Sequence, residues 1–273
     1  MRIYISFVIL LITNLVIAQT TWKPVDEMSI SNRSVNYREI IPEHYSSYAL
    51  DFGRMKKYLK NAPGENYSNE ANGVTLDLPM PTGVLETFVF HESSCMSPIL
   101  SKKFPSIKSY RGVSLTDNTK QARVDFGPMG FHAVIYTKEG RVFIDPFFSN
   151  PDEHYISYYT KDHQFDDGTE NKSLSCGVTT NHVQSEAEKN GQLEPAEYYK
   201  ALKAPVTKRT YRLAVATTGE WGAIFGTVEN TMARIVTGVN RLNMIFENEI
   251  AIKFELIDDN DKLVFLDGQT DPY

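Results

Sequence analysis

A single apolar stripe in residues 227–246 constrains the fold of the carboxyl-terminal part of the chain. Its members recur at steps of four and three residues: Val228, Met232, Ile235, Val239, Leu242 and Phe246. This spacing predicts a long amphipathic helix, and Thr227 is a suitable cap for its amino terminus. Strand-like sequences flank the stripe at residues 211–217 and 251–257. Strand, long helix and strand predict a βαβ unit with parallel strands and a right-handed crossover.

Short alternating runs separated by Pro, Gly and Asn fill the middle of the chain. The strand-like runs are residues 74–78, 85–90, 122–126, 131–137, 141–145 and 155–160. Two of them flank Lys138-Glu139-Gly140, a glycine-containing loop that predicts a hairpin over residues 131–145. Repeated strand signals at this spacing indicate an antiparallel, β-rich domain at residues 74–165. Together with the βαβ unit, they predict the α+β fold class.

Weaker patterns complete the predicted domain division. Residues 19–73 are polar and turn-rich, which predicts a weakly structured amino-terminal segment. Residues 166–209 predict a connector, and residues 210–273 predict the start of a second domain that the sequence leaves incomplete. Three further elements are predicted: a helix at residues 45–59, a loop at residues 219–226 and a strand at residues 263–266.

The first 18 residues have the composition of a secretory signal peptide. Arg2 supplies a positive start, residues 3–17 are almost wholly apolar, and Ala18 offers a small residue at the cleavage point. An uncleaved anchor is the alternative, but the apolar run is short for a membrane span and polar sequence follows at once. We therefore expect a secreted protein with no stable membrane span after residues 1–18 are removed.

Charge and cysteine content limit the partners and the stabilising bonds. The net charge is −6, with 28 basic and 34 acidic residues interspersed, so no nucleic-acid partner is expected. The chain has two cysteines, Cys95 and Cys176. In an exported protein an even count allows one structural disulfide, although a chain of this length can bury an adequate core without one.

Metal-site patterns are weak in the residues themselves. No two of the six histidines lie four residues apart, so the sequence has no HExxH pair on a helix. His91 and Cys95 come nearest, but the preceding run is strand-like, whereas a zinc pair at this spacing needs a helix. His132 is expected to be a core or sheet-surface residue. A turn explains the carboxylates at residues 258–261, and calcium binding is left open.

Two blocks of sequence resemble one family of enzymes. "YRLAVATTGEWGAIFG" followed by "TMARIVTGVNRLNMIFENEIAIKFELIDDNDKLVF" is similar to the opening of the catalytic domain in secreted bacterial reprolysin-like zinc metallopeptidases of the metzincin group. The V-N-R-x-N centre of its helix corresponds to residues 239–243. Upstream, "GFHAVIYTKEGRVFIDPF" resembles the propeptide of these enzymes. The resemblance covers roughly residues 75–273, and it implies a β-rich antiparallel propeptide domain followed by the first βαβ unit of an α/β metzincin catalytic domain.

The resemblance also implies a role for Cys176. The sequence "SCGVTTN" at residues 175–181 is similar to the propeptide segment in which a cysteine followed by glycine blocks the catalytic zinc. Cys176 would be an inhibitory zinc ligand, because a thiolate in the fourth coordination position excludes the water that the metal activates. Gly177 would let the backbone approach the cleft closely. Ser173-Leu174-Ser175 departs from the basic and apolar residues usual before this cysteine.

The implied activity is zinc-dependent hydrolysis of protein or peptide substrates, in a zymogen whose HExxH residues are absent from this sequence. No catalytic residue is therefore assigned. Lys208 and Arg209 form a candidate processing point, with two ordinary linker cations as the alternative. The competing hypothesis for the whole chain is a non-enzymatic, secreted β-rich binding module with a Cys95–Cys176 disulfide.

Overall fold

The computed structural model describes residues 20–30, 37–65, 72–163 and 207–272. The predicted signal peptide, Cys176, Gly177 and most of the predicted connector lie outside the described residues. Within the described ranges, no helix combines the length and the apolar composition that a membrane crossing requires.

Nine strands of the described residues form one antiparallel sheet. They are β1 (Trp22–Pro24), β2 (Ser46–Leu50), β3 (Val74–Pro79), β4 (Leu85–Glu92), β5 (Lys108–Ser114), β6 (Gln121–Gly127), β7 (Gly130–Thr137), β8 (Gly140–Pro146) and β9 (His154–Tyr159). The order across the sheet is β1-β2-β9-β8-β7-β6-β5-β4-β3. Every run predicted as a strand in residues 74–160 is one, and β7 and β8 form the predicted hairpin. The β-rich prediction is confirmed.

The sheet curves until strands far apart in its order meet. The Ser157 hydroxyl on β9 donates to the carbonyl of Pro79, at the end of β3, over 2.8 Å. The Ser46 hydroxyl on β2 donates to the carbonyl of Pro81 over 2.7 Å. The concave side encloses the main core, whose buried members include Trp22, Tyr48, Leu76, Phe88, Val124, Phe131 and Tyr155.

The amino-terminal segment contributes to this sheet rather than remaining weakly structured. β1 and β2 add to it beside β9, and α1 (Phe52–Leu59) follows. The prediction of a helix over residues 45–59 is therefore wrong for its first half. Tyr48 and Leu50 alternate into the core as strand residues, and the Asp51 side chain then caps α1 by accepting from the Arg54 backbone N–H at 2.9 Å.

The predicted βαβ unit is present at the carboxyl-terminal end. A second short helix, α2 (Pro98–Lys103), precedes β5 in the sheet; the later elements are β10 (Arg209–Leu213), α3 (Gly219–Phe225), α4 (Val228–Ile250) and β11 (Ile252–Leu256). β10 and β11 pair in parallel, and the Thr227 hydroxyl caps α4 by accepting from the Asn230 backbone N–H at 3.1 Å. Leu242, a member of the apolar stripe, is 43% exposed, whereas Asn240 and Asn243, which are outside the stripe, are buried.

Two predictions in this unit are wrong. Residues 219–225 form α3 instead of a loop, with Thr218 as its amino-terminal cap and Gly226 (φ 74°) ending it. Residues 263–266 are not a strand; Leu263 ends a 3-10 helix, and residues 264–266 lie so close to α3 that a Cβ on Gly222 would meet the Phe265 carbonyl oxygen at 1.9 Å. Close packing between these short segments, rather than a periodic pattern, determines both conformations.

Candidate functional site

A row of buried charged and polar side chains crosses the outer face of the sheet. Side chains alternate along a strand, so Arg123 and Asp125 on β6 point away from the core that holds Val124. His132 on β7 lies opposite Asp125, and Asp145 is on β8. We call Arg123, Asp125, His132 and Asp145 the charged row; each is at most 4% exposed. Helix α4 packs over this face at β6 and β7.

The V-N-R-x-N centre of α4 binds the charged row directly. The Asn240 side-chain amide donates to Asp125 Oδ1 at 3.0 Å, and its oxygen accepts from Arg123 Nη1 at 3.2 Å. Arg241 Nη2 donates to Asp145 Oδ1. Each charged partner sits in a low-dielectric interface, where an unpaired charge would be costly. The helix face and the sheet face are therefore mutually dependent.

Residues one turn and two turns away on α4 extend the same contact. Thr237 Oγ1 donates to Asp125 Oδ2 at 2.6 Å, and Glu247 Oε1 lies 2.7 Å from Arg123 Nη2 as a buried ion pair. Spacings of three and seven residues, one and two helical turns, place these side chains on one helical face with Asn240.

Asp145 is the acceptor on which three donors converge. His132 Nδ1 lies 2.7 Å from Asp145 Oδ1, and the Tyr158 hydroxyl donates to Oδ2 at 2.8 Å. Burial opposes ionisation of Asp145, but Arg241, followed by His132 and Tyr158, outweighs it and holds the pKa of this carboxyl below its usual range. Burial raises the pKa of Asp125, although His132 and the hydrogen bonds that Thr237 and Asn240 donate to Asp125 oppose that shift.

Cys95 lies at the edge of the same contact as a free, fully buried thiol. Its sulfur is 3.5 Å from Asn240 Oδ1 and 3.6 Å from both Ser109 Oγ and Asn243 Nδ2. Burial raises the pKa of the thiol, and Arg123 partly offsets this. Cys176, with which the competing hypothesis pairs Cys95, lies outside the described residues.

The segment after β4 pairs with the outer edge of β11. The Leu256 backbone N–H donates to the Cys95 carbonyl at 2.8 Å, and the Ser97 N–H donates to the Leu256 carbonyl at 3.0 Å. Beyond it, Lys103 Nζ on α2 binds Asp259 and Asp261 at 3.0 and 2.8 Å. Two carboxylates of the predicted turn thus contact α2, which lies between β4 and β5 in the chain.

The candidate processing residues lie at the start of β10. Lys208 Nζ is 2.6 Å from Glu65 Oε1, and Lys253 Nζ is 2.8 Å from Glu65 Oε2. Burial opposes ionisation of Glu65, but the two lysines lower its pKa below the usual range. Arg209 is the first residue of β10 and pairs with Ile252. Cleavage next to Arg209 would therefore require this end of the strand to open.

Sequence reasoning missed most of this site. His132 was expected in the core or on the sheet surface and is buried; the roles of Arg123, Asp125 and Asp145 went unseen. The sequence does show charged residues alternating with apolar ones in β6, where Arg123 and Asp125 flank Val124. This alternation is also typical of a strand whose charged side faces water, so it did not single out a buried site. His91 lies in β4, and Cys95 follows it outside any helix. The described ranges contain no cluster of three or more His, Cys, Asp or Glu side chains that could hold a metal.

One family of enzymes matches the carboxyl-terminal part of the chain. Residues 207–273 match the model of metallo-peptidase family M12B, reprolysin-like. The match supports a reprolysin-like metallopeptidase. A search of curated proteins finds no match to the chain. We call residues 207–273 the reprolysin-like segment.

The limits of that match divide the interface into two sides. Asn240, Arg241 and Glu247 lie inside the reprolysin-like segment, whereas every member of the charged row lies outside it. The site is therefore a contact between a metallopeptidase-like unit and the sheet that precedes it in the chain.

Proposed function

We propose that this chain is the amino-terminal part of a secreted, zinc-dependent metalloendopeptidase zymogen acting on protein or peptide substrates. In this proposal the nine-stranded sheet is the propeptide, and residues 210–273 begin the catalytic domain. The observation that carries it is the burial of the N-R-x-N face of the reprolysin-like segment against the charged row. The signal-peptide composition of residues 1–18 supports secretion.

The interface supports a folding role for the propeptide. Besides its apolar residues, α4 buries Thr237, Asn240 and Asn243, and polar groups are buried only where they find partners. Asn243 finds them within its own unit, because its side chain bonds both the N–H and the carbonyl of Phe254 at 2.7 and 2.9 Å. The hydrogen-bond partners of Asn240 and Arg241 are instead on the sheet. The sheet thus stabilises α4, the long helix of the proposed catalytic domain.

The inhibitory step belongs to Cys176 and Gly177, which lie outside the described residues. The donor side chains within the described ranges do not form a zinc site, so we derive no hydrolytic step from them. In the extended protein a zinc ion would supply the activated water, and the Cys176 thiolate would exclude that water until the propeptide is removed.

The competing binding-module hypothesis depends on a Cys95–Cys176 disulfide. Within the described residues, the Cys95 thiol is free and enclosed by Asn240, Asn243 and Ser109. Its sulfur contacts two residues of the N-R-x-N centre, and this position favours the zymogen over the module.

The test is a precursor extended beyond residue 273 by the downstream sequence of its gene, with latency as the readout. The Cys176→Ala precursor should hydrolyse peptide substrates before any propeptide cleavage, whereas the unmodified precursor should not. Cys95→Ala is the matched control, because it removes the other thiol without touching the proposed switch, and it should remain latent. A Cys176→Ala precursor that stays latent while binding zinc would refute the switch.

A further inference from the structure

His132 lies in the interface with both ring nitrogens facing acceptors. Nδ1 is 2.7 Å from Asp145 Oδ1, and Nε2 is 3.1 Å from the Met129 carbonyl oxygen. A backbone carbonyl can only accept, and so can the ionised carboxylate of Asp145. Only a ring that carries a proton on both nitrogens satisfies both contacts. A neutral ring would turn a nitrogen lone pair toward one of these oxygens.

The charges that face His132 come from every element packed around it. Asp125 on β6 and Asp145 on β8 are acidic, and Arg241 on α4 is basic. Tyr158 on β9 contributes a hydroxyl that donates to Asp145. With both carboxylates ionised, a doubly protonated His132 balances this group, and loss of the proton leaves a net negative charge in a buried site.

The neighbouring ion pair leaves this balance unchanged. Arg123 and Glu247 carry opposite charges 2.7 Å apart and cancel each other. A proton on Asp125 would also neutralise the group, and burial raises the pKa of Asp125. The His132→Gln and Asp125→Asn variants described below distinguish which of these two residues carries the proton.

We propose that the sheet–helix contact is a proton-dependent latch, in which α4 stays on the charged row while His132 carries its second proton. This regulation rests on the proposed function, because it names the condition under which the propeptide would release the catalytic segment. Opening the contact would take the His132 ring away from its two acceptors, Asp145 Oδ1 and the Met129 carbonyl, which the docked state provides. Docking therefore takes up one proton and weakens as the pH rises from 5.5 to 8.5.

The experiment follows backbone hydrogen exchange of residues 237–247 in the chain without its signal peptide, from pH 5.5 to 8.5. Rates are corrected for the intrinsic pH dependence of exchange. Because one proton is linked to opening, the corrected rate should rise with pH across this interval, by at most about tenfold per pH unit. His132→Gln should remove this rise. His154→Gln is the matched control, since His154 pairs with Asp152 at 3.0 Å, and it should keep the rise.

Two outcomes overturn the latch. One is a flat corrected profile in the unmodified chain. The other is an Asp125→Asn variant that loses the pH dependence while His132→Gln keeps it, which would assign the proton to Asp125. Should His132→Gln fail to fold, ¹⁵N resonances of the histidine rings in the unmodified chain decide, because a neutral His132 ring at pH 6 contradicts the proposal.

These results are independent of the zinc switch. A Cys176→Ala precursor that stays latent while binding zinc would refute the switch and leave the exchange profile intact. A flat profile would refute the latch and leave the switch standing.

Discussion

Replacing Asp145 by asparagine removes the negative charge that three donors of the interface share. The side chain keeps its size, so the change acts on charge rather than on packing. Arg241 and His132 then lose their ionised acceptor, and the Tyr158 hydroxyl bonds a neutral oxygen. Because Asp145 is 1% exposed, water cannot reach this position to hydrate the donors that lose their ionised acceptor.

The expected loss is that of a broken buried ion pair, about 3–5 kcal/mol of unfolding free energy. Urea unfolding followed by circular dichroism measures it at pH 7. Asp152→Asn is the matched control, because Asp152 also accepts from a histidine, His154, over 3.0 Å. Its side chain is 19% exposed, so the control should lose less than about 1 kcal/mol.

The acid side of the stability profile should change as well. The pKa of Asp145 is lowered in the folded chain, so its contribution is present above the ordinary aspartate range, about pH 4, and is lost as pH falls below it. The Asp145→Asn chain lacks this contribution and should lose stability less steeply below pH 4. A loss as small as that of Asp152→Asn at pH 7, or an unchanged acid limb, would refute the assignment of Asp145 as the centre of the interface.

Two further predictions concern the close contacts around α3 and the buried thiol. Gly222→Ala should destabilise the chain by about 1–3 kcal/mol, because the new Cβ would meet the Phe265 carbonyl oxygen at 1.9 Å. Gly238→Ala should instead stabilise α4 by about 0.5–1 kcal/mol, because its Cβ would have nothing within 4 Å. Equal urea midpoints for the two variants would contradict this prediction. Cys95 should resist iodoacetamide at pH 8 in the native chain and react in urea, because burial raises the pKa of its thiol. Peptide mass spectrometry measures the labelling. A Cys95–Cys176 disulfide in the native chain would contradict this prediction.

Local patterns predicted the regular elements well and the short irregular ones poorly. The stripe and cap at Thr227 predicted α4, and alternation predicted the strands from residue 74 to residue 160, because each of these signals depends on neighbours in sequence. β2 was misassigned, since its alternation is short and runs directly into the cap of α1. α3 was missed because it is short and packs against residues 264–266, a contact that sequence periodicity does not reveal.

The candidate site shows the same division. Sequence resemblance singled out the V-N-R-x-N centre without indicating what Asn240 and Arg241 contact. Their partners Arg123, Asp125 and Asp145 lie about 100 residues earlier, and no periodic pattern links positions so far apart.

By itself, the sequence determined the β-rich middle of the chain, the parallel βαβ unit and the likeness of its last part to reprolysin-like metallopeptidases. These features follow from side-chain periodicity and local motifs, which act over a few turns or residues. The tertiary structure alone decided that the polar face of α4 lies on the charged row. That outcome depends on desolvation, because buried charges from distant strands are stable only where the helix brings them partners.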